Sequence, residues 1–351
     1  GTNGYYLPFK QDYTVEGFST VTYKGTGAAQ YIGGVGFKPD FVWTKGRSLA
    51  QPHNLFDAVR GNNARLRSST SAIEDTGALV FENDGFTLST QTETNNNGST
   101  FVAWNWDMGG TTASNTSGSI TSSVRANTTY GQSIVSYTGT GANATIGHGL
   151  SQNPEIWVVK GRTNAYDWVV GSTLIANTDR LRLNQTVATE GTGAGAWNST
   201  YPTSTVISLG SHLNVNESSE TFIAYCFHSV AGYSKIGSYE GNGIADGPEI
   251  TTGFRPAFVL TKNADAADDW SIADSARSPE IDVSTGKSLR PNSSSAEDSA
   301  ADIEFTSTGF KITQADSHRI NYNNETFIYM AFADTREYAY WLDQSGNNND
   351  W

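Results

Sequence analysis

Three stretches decide the fold: F-K-P-D-F-V-W-T-K (Phe37–Lys45), Q-N-P-E-I-W-V-V-K (Gln152–Lys160) and F-R-P-A-F-V-L-T-K (Phe254–Lys262). Each places a lysine six residues after a proline, behind a short β-rich run. Proline at the start of a strand costs no ladder bond. Working outward, each stretch is preceded by a tyrosine–glycine motif: Tyr23, Gly25 and Gly27 in V-T-Y-K-G-T-G, Tyr137, Gly139 and Gly141 in V-S-Y-T-G-T-G, Tyr239, Gly241 and Gly243 in G-S-Y-E-G-N-G. Each is followed, near the end of its copy, by a Thr-Phe run starting at Thr100, Thr221 or Thr326. The prolines Pro39, Pro154 and Pro256 step by 115 and 102 residues. Self-similarity at such a step marks a repeated structural unit. No set of catalytic residue types is tripled with it.

The chain divides into a lead-in (1–16), a first unit (17–109), a Ser/Thr/Asn-rich stretch expected to be an exposed linker (110–131), a second unit (132–232), a third (233–337) and a closing segment (338–351) that starts a following module or tail. Each unit is long enough to bury a core. Within a unit, A-L-V-F from Ala78 and F-T-L-S from Phe86 flank N-D-G, and D-I-E-F from Asp302 and F-K-I-T from Phe310 flank S-T-G. Alternating runs split by a glycine turn read as hairpins. The Thr-Phe runs are apolar on both parities and read as central, doubly covered strands. Six to eight strands per unit are expected, with F-D-A-V-R (Phe56–Arg60) as a short helical turn. The predicted fold is all-β: three tandem β-sandwich units of antiparallel strands with little helix. The units fit either a line or a closed ring about a pseudo-threefold axis.

Charged residues make 16% of the 351 residues, aromatics 12%, and the net charge is −13. That balance disfavours nucleic acid, which needs clustered Lys and Arg. No apolar run is long enough for a membrane span. Cys226 is the single cysteine and sits in the apolar run A-Y-C-F, as a small buried hydrophobe. The chain begins G-T-N-G without a Met or signal peptide and stops at N-N-N-D-W, which reads as a piece of a longer polypeptide.

Few residues invite a chemical reading. The five histidines share no metal-ligand spacing. The G-T-G and G-N-G runs have no helix after them to face an anion, and read as turns. Eight places after the shared lysine stand His53, Trp168 and Trp270, with Asp167 and Asp269 before the two tryptophans. Asp57 and Asp274 follow at twelve places, Arg60 and Arg277 at fifteen, where the second unit has Ser172 and Ile175. Rings stack on sugars while carboxylates and arginines fix hydroxyls, so these nine residues are the candidate glycan contacts. The competing reading is a Trp capping the sandwich edge beside an Asp–Arg pair; it is preferred, because aromatics mostly serve cores. Asp265, Asp268 and Asp269 form the one candidate calcium loop, without EF-hand spacing. No other cofactor is expected.

The run G-F-K-P-D-F-V-W-T-K-G-R from Gly36, H-N-L-F-D-A-V-R-G from His53, N-D-G-F-T-L from Asn83 and F-V-A-W-N-W from Phe101 resembles a repeat of tail-fibre-type virion structural proteins of marine tailed phages, especially cyanophages. The second and third units lack the H-x-L-x-D-x-V-R-G run. The resemblance implies a virion-surface, extracellular location and homotrimerisation, and it brings no catalytic residues. The expected function is a structural and adhesive component of a phage virion appendage, a tail fibre or similar surface fibre, and not an enzyme. Its expected partners are itself as a trimer, other virion proteins and a host surface glycan. The alternative is a carbohydrate-binding adhesin using Trp168 and Trp270; a polysaccharide-degrading enzyme ranks last.

Overall fold

A computed structural model describes residues 17–278, 287–299 and 303–333. The first unit contains β1 (Phe18–Lys24), β2 (Gln30–Ile32), β3 (Phe41–Gly46), β4 (Asn54–Asp57), β5 (Ala64–Arg65), β6 (Asp75–Thr76), β7 (Leu79–Glu82), β8 (Gly85–Leu88), α1 (Thr92–Asn95) and β9 (Thr100–Trp106). The second contains β10 (Ala113–Asn115), β11 (Ser122–Asn127), β12 (Gln132–Thr138), β13 (Ala144–Gly147), β14 (Ile156–Gly161), β15 (Val169–Ser172), β16 (Asp179–Arg182), β17 (Glu190–Gly191), β18 (Val206–Leu209), α2 (Leu213–Asn216) and β19 (Thr221–Phe227). The third contains β20 (Ser234–Glu240), β21 (Glu249–Thr251), β22 (Phe258–Asn263), β23 (Ser271–Asp274), β24 (Ile303–Thr306), β25 (Gly309–Ile312) and β26 (Thr326–Phe332). The protein is all-β and antiparallel, as its sequence predicts.

One topology recurs. The main sheets run β1-β9-β3-β4, β12-β19-β14-β15 and β20-β26-β22-β23. The register recurs as well: Tyr23 faces Phe101, Tyr137 faces Phe222 and Tyr239 faces Phe327, while Lys45, Lys160 and Lys262 face Val102, Ile223 and Ile328. The Thr-Phe strands are central and buried beyond their first residue, as expected of runs apolar on both parities. A smaller sheet covers one face of each main sheet: β2-β8-β7, β13-β18 and β21-β25-β24. The hairpins β7–β8 and β24–β25 form where the glycine turns place them. Each pair of sheets shares a core, such as Val42, Phe56 and Ala103 with Ile32, Phe81 and Phe86 in the first unit.

Two expectations are corrected. Residues 110–131 are not a linker: β10 and β11 extend the second unit's sheet beyond β12, and Val124 reaches its core. Phe56–Arg60 is not a helical turn, because Phe56 and Asp57 complete β4 and a turn follows. The strand count also exceeds six to eight in the first two units, since pairs as short as β5–β6 leave no periodic signal. The lead-in (1–16) and the segment 338–351 lie outside the described residues. Among the described residues no helix is long and apolar enough to cross a membrane.

The other face of each main sheet meets its two counterparts. Phe41 stacks on Tyr225 at 4.4 Å, Phe227 meets Phe332 at 5.7 Å, and Phe18 meets Phe258 at 5.5 Å. Together these rings form one central core to which all three units contribute. Three matching backbone bonds tie the rims: Glu74 N–H to Arg162 O (2.8 Å), Thr189 N–H to Ala264 O (2.9 Å) and Glu297 N–H to Arg47 O (2.8 Å). The acceptor is in each case two residues after the shared lysine. The units therefore close around a pseudo-threefold axis, second on first, first on third, third on second. Gly17 and Ala333 both abut Tyr233, so the first and last described residues lie close together.

Candidate functional site

The residues singled out after the shared lysine converge on the three seams. The lysines are fully buried, and each ammonium points at carbonyl oxygens. Lys45 Nζ donates to Gly46 O (2.7 Å), Leu49 O (3.5 Å) and, across the seam, Ser294 O (3.3 Å). Lys262 Nζ donates to Asn263 O (2.7 Å), Ala266 O (3.3 Å) and, across the seam, Thr186 O (3.3 Å). Lys160 Nζ holds Gly161 O (2.6 Å) and Asn164 O (3.4 Å). Burial pulls all three ammonium pKa values down to about 8.

Trp168 and Trp270 lie within the seams. Trp168 Nε1 donates to Arg67 O of the first unit (2.8 Å), and Trp270 Nε1 donates to Arg182 O of the second (2.9 Å). Their relative exposures are 0% and 1%. His53 takes the corresponding place and is equally buried. Trp43 Nε1 donates to His53 Nδ1 at 2.8 Å, which fixes the neutral tautomer with its proton on Nε2. Burial holds the His53 pKa well below the usual range.

Asp57 and Arg60 form a fully buried pair at 2.5 Å, and so do Asp274 and Arg277 at 2.6 Å. Each accepts a donor from the neighbouring unit. Tyr225 Oη donates to Asp57 Oδ2 and Trp104 Nε1 to Asp274 Oδ2, both at 2.8 Å. The second unit has Ser172 and Ile175 here, and the neighbour's residue at the Trp104/Tyr225 position is Met330, which has no proton to donate. Acid–arginine pairs thus stand where a polar ring arrives, and uncharged residues at the place that matches a thioether. Burying either charge alone would be costly. At the rim Arg162 clamps Glu74 at 2.9 and 2.8 Å and Arg47 clamps Glu297 at 2.8 and 3.1 Å. Burial would raise the pKa of both carboxylates, but these arginines hold them below the usual range. Asp167 and Asp269 are half-buried; Asp167 is held by Arg182 and Asn184, Asp269 by Arg290 and Asn292.

In the third unit Trp270 stands beside the Asp274–Arg277 pair with neighbouring units over both, while the first unit has His53 beside its pair and the second has Trp168 without one. No sugar ring can reach His53, Trp168 or Trp270 while the units are closed. A cavity of about 30 Å3 lies where the three units meet, lined by apolar side chains including Trp43, Val158, Leu260, Trp168 and Trp270. It is far smaller than the ~150 Å3 that admits benzene, and an apolar cavity stays dry.

Two of the three carboxylates in the candidate calcium loop accept backbone amides, and the third, Asp269, meets Arg290 and Asn292. Asp265 Oδ2 accepts from Thr326 N–H (2.7 Å) and Asp268 Oδ1 from Asp269 N–H (2.6 Å). Among the described residues no three acidic, His or Cys side chains converge as metal ligands. Cys226 is buried, and burial pushes its thiol up to about 12, so it presents no thiolate.

The sequence reading missed a second tripled device. Asn95, Asn216 and Asn321 each stand five places before the Thr-Phe strand, a spacing visible in the sequence. Their side-chain oxygens accept from Thr26, Thr140 and Asn242 N–H at 2.9, 2.8 and 3.0 Å. Their amides donate to the far side of the same loops, at Ala28, Ala142 and Ile244 O. Each Gly-x-Gly loop is therefore a stapled turn. A methyl on Gly25, Gly139 or Gly241 would lie 2.2–2.3 Å from a backbone oxygen. The second glycines, Gly27, Gly141 and Gly243, have φ near +70°.

Residues 14–336 match the model of the family described as a domain of unknown function, DUF7483. The chain belongs to that family. A comparison with curated proteins found no match.

Proposed function

We propose that this domain is a structural component of a phage virion appendage, a compact lobe carried on a tail fibre or similar surface fibre, and not an enzyme. One observation carries the reading: side chains at matching places in the units hold the units together. Lys45 and Lys262, Trp168 and Trp270, and the Asp–Arg pairs of the first and third units all make bonds across a seam. The sequence resemblance to tail-fibre repeats supplies the setting. Closure into a ring favours a lobe over a spacer rod, because Gly17 and Ala333 both lie against Tyr233. The three units hide their apolar sheet faces against one another within one chain. One copy therefore brings its own threefold arrangement to whatever fibre carries it.

The test is localisation. Antibodies raised against the purified domain should decorate an appendage of tailed particles in electron micrographs. Decoration of a non-virion fraction alone would overturn the proposal. A screen of host polysaccharides should show no binding that depends on Trp168 or Trp270, since both rings are covered.

A further inference from the structure

The three seams are not equivalent along the chain. The second unit runs into the third through the short connection His228–Tyr233, and the first joins the second through 107–112. The first and third units share no covalent link other than through the second. Their seam is nevertheless densely built: Trp104 on Asp274, Arg277 over the Trp104 ring at 5.6 Å, Arg47 clamping Glu297, and Ser68 Oγ donating to Pro291 O at 2.8 Å. The third–second seam has Ala264, Thr189, Ser172, Ile175 and Met330 at the matching places, none of which carries charge. The first–third contact is heterologous, two different and charge-complementary faces, so either face can be satisfied by another molecule of the same sequence.

We propose that the first-unit face around Trp104 and Arg47 and the third-unit face around Asp274 and Glu297 form the docking surface for a second copy of this chain. In that state the third unit swings out about His228–Tyr233 and closes on the first and second units of its partner. Every seam is preserved and only its connectivity changes. Gly232 in this connection has φ +76° and no heavy atom within 4 Å of where a Cβ would sit, so the turn can pivot there, while exchange has to part Tyr233 from Gln132 and Val230 from Ser234. Closure within one chain is favoured at low concentration, because a tethered face acts at an effective concentration on the order of millimolar. Exchange therefore needs opening at high protein concentration, as on a crowded particle surface or during refolding.

The test uses Arg47→Glu and Glu297→Lys as separate variants, each unfolded in urea and refolded alone or as an equimolar mixture. Light scattering after size exclusion reads the mass. Each variant alone sets like charges against each other across this seam, whether it closes within one chain or between two copies. The mixture should yield a dimer containing both chains, at several-fold the dimer fraction of either variant alone, because only exchange between the two variants restores opposite charges at both of its first–third seams. The double variant in one chain should refold as a monomer. If the variants fail to fold, wild type refolded across a hundredfold range of concentration decides: a dimer fraction rising with concentration, with two differently tagged chains co-purifying, supports exchange. Monomer alone at every concentration, or monomer alone from a folded mixture, overturns it.

Discussion

Tyr225, Trp104 and Met330 occupy one position in three copies, and what each meets is set by whether it has a proton to give. Tyr225→Phe leaves Asp57 without its cross-seam donor. A buried acceptor stripped of a partner costs about 1–3 kcal/mol. Urea denaturation of Tyr225→Phe should show that loss, whereas Met330→Leu, a volume-conserving change, should cost less than about 1.5 kcal/mol. Equal effects would mean that the hydroxyl contributes nothing. The Asn216 staple makes a similar claim: Asn216→Ala should lower stability by about 1–3 kcal/mol through freed loop amides and carbonyls. His148 sets a pH dependence. Its Nδ1 accepts from Leu150 N–H and its Nε2 lies 3.1 Å from Thr203 O, and burial lowers its pKa to about 4. Below pH ~6.5 the unfolded chain takes up a proton that the folded chain refuses until pH ~4. Stability should therefore fall as pH drops through that window, by no more than about 3 kcal/mol from this group. Denaturant midpoints between pH 7 and 4 should show a shallower slope for His148→Asn; an unchanged slope would remove His148 from the account.

At the scale of elements, strands betray themselves when their two faces differ or when both are apolar. β9, β19 and β26 are apolar on both parities, and β7–β8 carries its turn in N-D-G, so all were legible. β10 and β11 were not. Their stretch is polar and small, with Val124 the main residue facing inward, and strands of an antiparallel sheet need only one covered face. Val124 is nonetheless 6% exposed and belongs to the second unit's core. Val124→Asp should cost about 2–4 kcal/mol, by lost packing and a buried carboxylate. A neutral result would restore the linker reading. The lysines show the same limit: their spacing was plain from sequence, but a Lys six places after a proline reads as a solvent-facing strand end. Only the folded loop's carbonyls, joined by Ser294 O for Lys45 and Thr186 O for Lys262 from neighbouring units, explain why it is buried.

For the whole molecule, the shared central core ties three local cores into one. Trp106 is buried and touches rings of all three units: Phe41, Phe227 and Phe332 among them. Trp106→Ala should cost about 3–5 kcal/mol and shift a single calorimetric transition rather than split off one unit. Separate transitions, with one unit lost first, would show that the units are independent domains. The amino-acid sequence by itself determined the all-β class, the tripling, the central strands and the glycine turns, because these rest on local periodicity and on backbone geometry that neighbouring residues dictate. The tertiary structure alone decided that the copies close around an axis, that His53, Trp168 and Trp270 face a neighbouring unit instead of solvent, and that the Asp–Arg pairs meet donors from another copy. Those facts depend on which surfaces meet across more than a hundred residues of chain, and an aromatic or acidic side chain looks the same in sequence whether its partner is water or another sheet.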